Sequence, residues 1–243
     1  MNVLILGGNS DIGFAIAREF AKSYGAEIQL ASRNLEQLEK KAGDLKVLFN
    51  VNVNVYPFDV LDKESHKDFF QNLREKPDVV VATFGILGEQ LEAQQDPQKA
   101  AEILGSNYVG AVSILEIIAS DFEQRGKGVI IGVSSVAGDR GRASNYIYGS
   151  AKAGFTAYIS GLRNRLFDKG VRVITILPGF VATKMTAHLN LNPALTATPE
   201  EVARETEKAF RKKKDVIYVK PIWKWIMMAI KLQPEAIFKR LKL

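Results

Sequence analysis

Cysteine is absent from the 243-residue chain, and histidine occurs only twice. Without cysteine there is no disulfide framework, no thiolate zinc site and no cysteine nucleophile, and no residue set suggests a metal. No apolar run reaches the ~18 residues that a membrane-spanning helix requires. Met1 to Leu6 is apolar but lacks a basic flank and runs directly into Gly7 and Gly8, which suits a buried first strand better than a secretory leader. These features point to the cytoplasm. Repeats, low-complexity tracts and linkers are also lacking, so the length reads as a single domain with one sizeable core.

Acidic residues are scarce in one place only. Residues 211–243 hold ten Lys or Arg against two acids, which leaves 23 basic and 25 acidic residues elsewhere. The net charge of +6 is therefore a property of the tail, and the body of the chain offers no basic surface for nucleic acid.

Short apolar runs alternate with helical patterns. Strands are expected at Val3–Leu6, Ile28–Ala31, Val53–Phe58, Val79–Ala82, Val129–Val133, Val171–Leu177 and Val216–Val219. Many lack strict polar alternation, as strands covered on both faces do. Helices are expected at 11–23, 34–43, 62–74, about 98–124, 146–168 and 199–212, with starts at Asp62 and at Thr198-Pro199-Glu200-Glu201. The alternation implies right-handed βαβ units: an α/β fold with a doubly wound parallel sheet of about seven strands and helices on both faces.

The first strand is followed at once by Gly7-Gly8-Asn9-Ser10-Asp11-Ile12-Gly13 and a helix. Glycines let backbone approach a pyrophosphate closely, and the helix start offers free N–H groups and the positive end of its dipole. After the second strand come Ser32 and Arg33, where a site for NAD would carry a carboxylate for the ribose 2′-hydroxyl. A guanidinium there suits the 2′-phosphate of NADP; the plainer alternative is a solvated arginine opening a helix. Asp59 and Val60, past the third strand, are placed to meet an adenine.

Ser135 closes the fifth strand, and Tyr148 and Lys152 stand four residues apart at a helix start, on one face. Reduction of a carbonyl needs a proton at oxygen as hydride reaches carbon. A tyrosine with a pKa of about 10 needs help to exchange that proton near neutrality, which a nearby ammonium and an oxidised nicotinamide supply. Ser135 is suited to hold the substrate oxygen and Lys152 the nicotinamide ribose. Tyr146 has Ser150 four residues on and is not part of such a pair.

With these residues in place, the chain resembles the short-chain dehydrogenase/reductase family over nearly its whole length. The resemblance implies a Rossmann fold with strand order 3-2-1-4-5-6-7, a homo-oligomer, Ser135, Tyr148 and Lys152 as catalytic residues, and Asn107 as the helix asparagine of a proton relay. It also places Phe84-Gly85 near the adenosine and Pro178-Gly179, Val181 and Thr183 beside the carboxamide. Two positions depart from the family pattern. Asp11 replaces the middle glycine of the fingerprint, and Ala82-Thr83-Phe84-Gly85 replaces Asn-Asn-Ala-Gly. Within the family the chain is most similar to decaprenylphosphoryl-2-keto-erythro-pentose reductases, at Gly7–Gly13 with its acid, Phe84–Gly88, Arg142–Tyr148, Met185–Leu189, Met227-Met228 and Ile237-Phe238. That implies a keto-sugar on a polyprenyl phosphate and a flavin-dependent oxidase as partner.

Residues 183–198 are expected to cover the substrate as part of a catalytic domain spanning 1–220. Arg140 and Arg142 either meet a phosphate or are solvated loop charges, and His188 is expected to pack or cap. His66 has no visible partner. The tail, 221–243, has Lys224 and Lys231 on one helical stripe among apolar residues. It suits an anionic membrane surface, its own domain or a sister subunit. A reductase of an unrelated soluble ketone, and a nucleotide-binding scaffold without turnover, are the alternatives for the whole chain.

Overall fold

The computed structural model describes residues 1–241. Its strands are β1 (Asn2–Leu6), β2 (Glu27–Ser32), β3 (Val53–Pro57), β4 (Val79–Ala82), β5 (Gly128–Val133), β6 (Val171–Pro178), β7 (Phe180–Val181), β8 (Thr196–Ala197) and β9 (Val216–Val219). Seven form one parallel sheet in the order β3-β2-β1-β4-β5-β6-β9, while β7 and β8 pair with each other. The expected order is met, with β9 as the seventh strand. The helices are α1 (Asp11–Tyr24), α2 (Leu35–Phe49), α3 (His66–Gln71), α4 (Gln90–Ala93), α5 (Pro97–Leu104), α6 (Gly110–Arg125), α7 (Tyr146–Leu166), α8 (Pro199–Arg211), α9 (Ile222–Leu232) and α10 (Glu235–Phe238).

The valine- and isoleucine-rich strands feed two cores at once. Val3 and Ile5, Val79 and Val81, and Ile174 and Ile176 enter the core under α1, α2 and α8. Their neighbours Leu4, Leu6, Val80, Ala82 and Val173 enter the one under α6 and α7. A period of two in a sheet covered on both faces leaves few positions for polar side chains, and the buried Gln29 and Thr175 are hydrogen-bonded. Each fully buried Leu or Ile contributes about 1.5–3 kcal/mol.

The strand order reverses between β1 and β4, which opens a crevice at their carboxyl ends.

Three helices differ from expectation. The helix expected at 34–43 continues to Phe49 because Leu45 is buried, and it stops where Asn50 takes a left-handed conformation (φ 51°). The helix expected from Asp62 begins instead at His66, after a single 3₁₀ turn. His66 is fully buried, stacked on Phe58 at 5.2 Å and bonded to Ser113 and the Asp59 carbonyl, which pins the preceding turn. It therefore has partners that the sequence concealed. The long helix at 98–124 exists as Pro97–Arg125 but contains a π-helical turn at Gly105–Val109, where the Gly110 N–H donates to Gly105 O. That helix is long and apolar enough to cross a bilayer, yet half of its apolar stretch lies buried in the core.

The tail packs on its own domain. Trp223 and Met227 join Val136 and Leu177 in a small third cluster, and Trp223 Nε1 donates to Leu195 O at 3.0 Å. The opposite side of α9 leaves Ile222, Trp225, Met228 and Leu232 exposed.

Candidate active site

Ser135 follows β5 in extended conformation and opens a 3₁₀ turn, accepting from the Ala137 N–H at 3.1 Å. The strand end is fastened to α7 by the neighbouring Ser134, whose hydroxyl donates to Lys152 O at 3.1 Å and meets Thr156 Oγ1 at 2.7 Å. This brings Ser135 near the Tyr148 hydroxyl, close enough to favour its ionised form. One turn further on, Lys152 Nζ lies 5.8 Å from the Tyr148 ring centre and donates to Val133 O at 3.3 Å.

Burial governs the protonation of this pair. It pushes the Tyr148 phenol up to about 12, against the lowering effect of the nearby Ser135 hydroxyl. The same desolvation brings the Lys152 ammonium down to about 8. In the protein alone the phenol is thus a proton donor at neutral pH, and Lys152 by itself does not make it acidic.

Asn107 sits on the π-helical turn, an inserted residue that rotates its side chain off the regular helix face. Its amide donates to Ile86 O at 2.7 Å and Ile103 O at 2.8 Å, leaving Oδ1 buried with no partner among the described residues. A Cβ at Gly85 would strike this oxygen and would lie 3.4 Å from Lys152 Nζ. Gly85 also has φ +149°, which side-chain-bearing residues rarely adopt. The approach of Gly85, Asn107 and Lys152 thus depends on glycine.

Two cavities lie along the crevice. The smaller, about 190 Å³, is lined by Gly7, Ser10, Ser32, Arg33, Asp59 and Val60 among others. The larger, about 550 Å³, is lined by Ile12, Asn107, Ser135, Tyr148, Lys152, Pro178, Gly179, Val181 and Thr183 with further residues. Thr83, Phe84 and Gly85 border both, so the two form one trough along the carboxyl edge of the sheet. Gly7 has φ +94°, and a Cβ there would lie 2.7 Å from Phe84 N. Ser10 caps α1 by accepting from Gly13 N at 2.9 Å. The trough has the length, glycine turn and helix start that a nicotinamide dinucleotide needs, with Arg33 at one end and Tyr148 at the other.

Three residues expected at the cofactor line neither cavity. Gly13 packs beneath the loop against Thr83, Asn9 Nδ2 donates to Asn34 O at 2.8 Å, and the Asp11 carboxylate accepts from the Lys184 N–H at 2.9 Å. Asp59 Oδ1 already accepts from Leu61 N at 3.0 Å while facing the smaller cavity.

Other residues had no signal in the sequence. Thr83 donates to Leu6 O at 3.0 Å and accepts from Ser10 Oγ at 3.2 Å, locking the glycine turn from the neighbouring strand. Lys41 of α2 donates to Asn9 O at 2.9 Å and lies over the Phe14 ring. Only a tertiary neighbour distinguishes either from an ordinary strand-end threonine or helix lysine.

The segment after Pro178 roofs the larger cavity through Thr183, Met185, Thr186, His188 and Leu189. His188 faces Glu89 at 3.4 Å, both largely exposed.

Comparison with known proteins agrees with this geometry. The family model described as short chain dehydrogenase matches residues 1–194. An uncharacterized oxidoreductase of Mycobacterium tuberculosis is 37% identical over 242 residues, covering 98% of this chain and 96% of its own. One of Streptomyces coelicolor is 36% identical, covering 99% and 95%. A short chain dehydrogenase of Burkholderia cenocepacia, solved with NADP, superimposes with a TM-score of 0.84 at 19% identity, covering 100% of this chain and 97% of its own, a likeness of fold. The chain belongs to the short-chain dehydrogenase family and is an NAD(P)-dependent oxidoreductase.

Proposed function

We propose that the protein reduces a ketone with NADPH, and that this ketone is a keto-sugar carried on a polyprenyl phosphate. The observation that carries the catalytic reading is the convergence of Ser135, Tyr148 and Lys152 on the wall of the 550 Å³ cavity, with Lys152 Nζ 5.8 Å from the Tyr148 ring centre. Tyr148, protonated at neutral pH, donates its proton to the carbonyl oxygen. Ser135, which accepts from the Ala137 N–H with one lone pair, holds that oxygen with its own hydroxyl hydrogen. Lys152, mostly protonated at pH 7, restores the phenol proton and holds the nicotinamide ribose. The unpartnered Asn107 Oδ1 is the acceptor that fixes a water on the path to Lys152. When bound, the reduced cofactor supplies the hydride.

Arg33 beside Ser32, with no carboxylate at that strand end, supports NADP over NAD. The keto-sugar is supported by the sequence resemblance at Phe84–Gly88, Arg142–Tyr148 and Met185–Leu189 and by a cavity whose wall mixes apolar and hydrogen-bonding groups. A flavin-dependent oxidase is the partner that would make such a ketone from its alcohol. The exposed face of α9, with Lys224 and Lys231 close by, supports contact with an anionic membrane carrying the polyprenyl chain.

Tyr148→Phe tests the catalytic reading. Turnover should fall by at least about 100-fold while NADPH still binds, as read by its fluorescence; undiminished turnover would overturn it.

A further inference from the structure

Two arginines precede Tyr148, and the fold treats them differently. Arg140 is engaged by the tail. Its guanidinium donates to Ile230 O at 2.6 Å and Gln233 O at 2.7 Å, pairs with Glu235 at 2.9 Å and stacks on Phe238 at 3.6 Å. It closes the end of α9 and does not line the cavity. Arg142 has no such partners. Among the described residues no carboxylate lies within ion-pair distance of it, and its Nε is buried with no hydrogen-bond partner. Burial disfavours its charge, and Asp139 offsets this only in part, being itself bonded to the Tyr218 hydroxyl at 2.9 Å.

A half-buried guanidinium without a partner is costly, and here it lines the cavity that holds Ser135 and Tyr148. Two more orphaned groups share that wall. Gln90 Oε1 accepts from Ile147 N at 3.2 Å, which orients the amide and leaves Nε2 buried and unpartnered. Asn145 Oδ1 is also buried without a partner. Two donors, one of them charged, and one acceptor converge on the same space. The acid lining the cavity, Glu89, lies at its solvent-exposed rim beside His188, whereas Arg142 is half-buried and Lys152 buried in the wall. Leu87, Leu91, Leu189 and Trp223 supply an apolar surface alongside.

We propose that Arg142 is the anion-recognition residue of this cavity, and that the substrate is a carbonyl compound bearing a phosphate or carboxylate, held by Arg142 and the Gln90 amide while its ketone meets Ser135 and Tyr148. This rests on the reading of the cavity as the carbonyl-reducing site and specifies what that site selects. A planar guanidinium binds either oxyanion through two parallel hydrogen bonds, which a lysine does not reproduce. Asn145 Oδ1 accepts from a substrate hydroxyl.

The test is a calorimetric titration of the full chain, saturated with NADPH so that the dinucleotide trough is filled, with octanol, octanoate and octyl phosphate. At least one anion should bind about tenfold or more tightly than octanol, and Arg142→Gln should abolish that advantage while leaving octanol and NADPH binding unchanged. A preference for octyl phosphate alone identifies a phosphorylated substrate, and one for octanoate alone a carboxylated one. Anions that bind no better than octanol to the wild-type protein, or an advantage that survives Arg142→Gln, would overturn the proposal. Neither result depends on Tyr148, so failure of the catalytic reading shows separately in the Tyr148→Phe turnover assay.

Discussion

The carboxylate of Asp11 accepts the backbone N–H of Lys184 at 2.9 Å, joining the glycine turn to the substrate loop across 173 residues of sequence. Asp11 stands where the family fingerprint has glycine, and it points away from the trough toward the roof. Its charge is further balanced by Lys41, whose ammonium it favours. The acid is thus a tie between cofactor loop and substrate roof rather than a repulsive group at the phosphates.

Asp11→Ala should therefore act on substrate more than on cofactor. An exposed charge-assisted hydrogen bond contributes about 1 kcal/mol, so KM for the carbonyl substrate should rise roughly fivefold. kcat and the NADPH dissociation constant should stay within about twofold. Asp11→Asn, which keeps an acceptor oxygen, should restore KM. Steady-state kinetics with a fluorescence titration separate the two parameters.

Arg33 offers the cofactor test. Arg33→Ala should weaken NADPH by about 10- to 100-fold, the loss of a charged hydrogen-bonded pair, and leave NADH within about twofold. Equal losses for both dinucleotides would show that Arg33 does not read the 2′-phosphate.

Lys152 makes a prediction about stability and pH. Its folded pKa, about 8, lies below the 10.5 of an ordinary lysine, so between these values the unfolded chain binds more protons and stability rises with pH. Below pH 8 the native state carries the full cost of a buried ammonium, on the order of 3 kcal/mol from the shift. Lys152→Met should be more stable than wild type at pH 7 in urea denaturation. Its advantage should shrink as pH rises from about 8 toward 10.5. An advantage independent of pH would refute the depressed pKa.

The two tail tryptophans should separate cleanly. Trp223 is 4% exposed and packed at the cavity, so Trp223→Ala should cost about 3–5 kcal/mol in thermal or urea unfolding. Trp225 is 61% exposed, and Trp225→Ser should change stability by less than about 0.5 kcal/mol. It should also reduce flotation with anionic liposomes; unchanged flotation removes the membrane contact from the functional reading.

The parallel sheet and the central pair were legible because each rests on short-range regularity, whereas the strand order came from the family resemblance. A strand covered on both faces is mostly apolar, and residues four apart on a helix share a face, so the Val and Ile runs and the Tyr148–Lys152 spacing carry their meaning locally. The π-helical turn at Asn107 was not legible, because Gly-Ser-Asn within a helical stretch does not distinguish a π turn from a regular one. His66 read as a residue without a partner in a polar stretch, and only the packing of Phe58 and Ser113 around it shows otherwise.

From the amino-acid order alone came a nicotinamide-type α/β domain with a serine, a tyrosine and a lysine at its carboxyl edge. Tertiary structure decided that burial sets the Tyr148 proton, that Asp11 holds the substrate roof, and that Arg140 anchors the tail while Arg142 faces the cavity. The physical reason is the range of the interactions. Periodicity and capping act within a few residues, whereas desolvation and the pairing of charges depend on which distant segments the fold brings together.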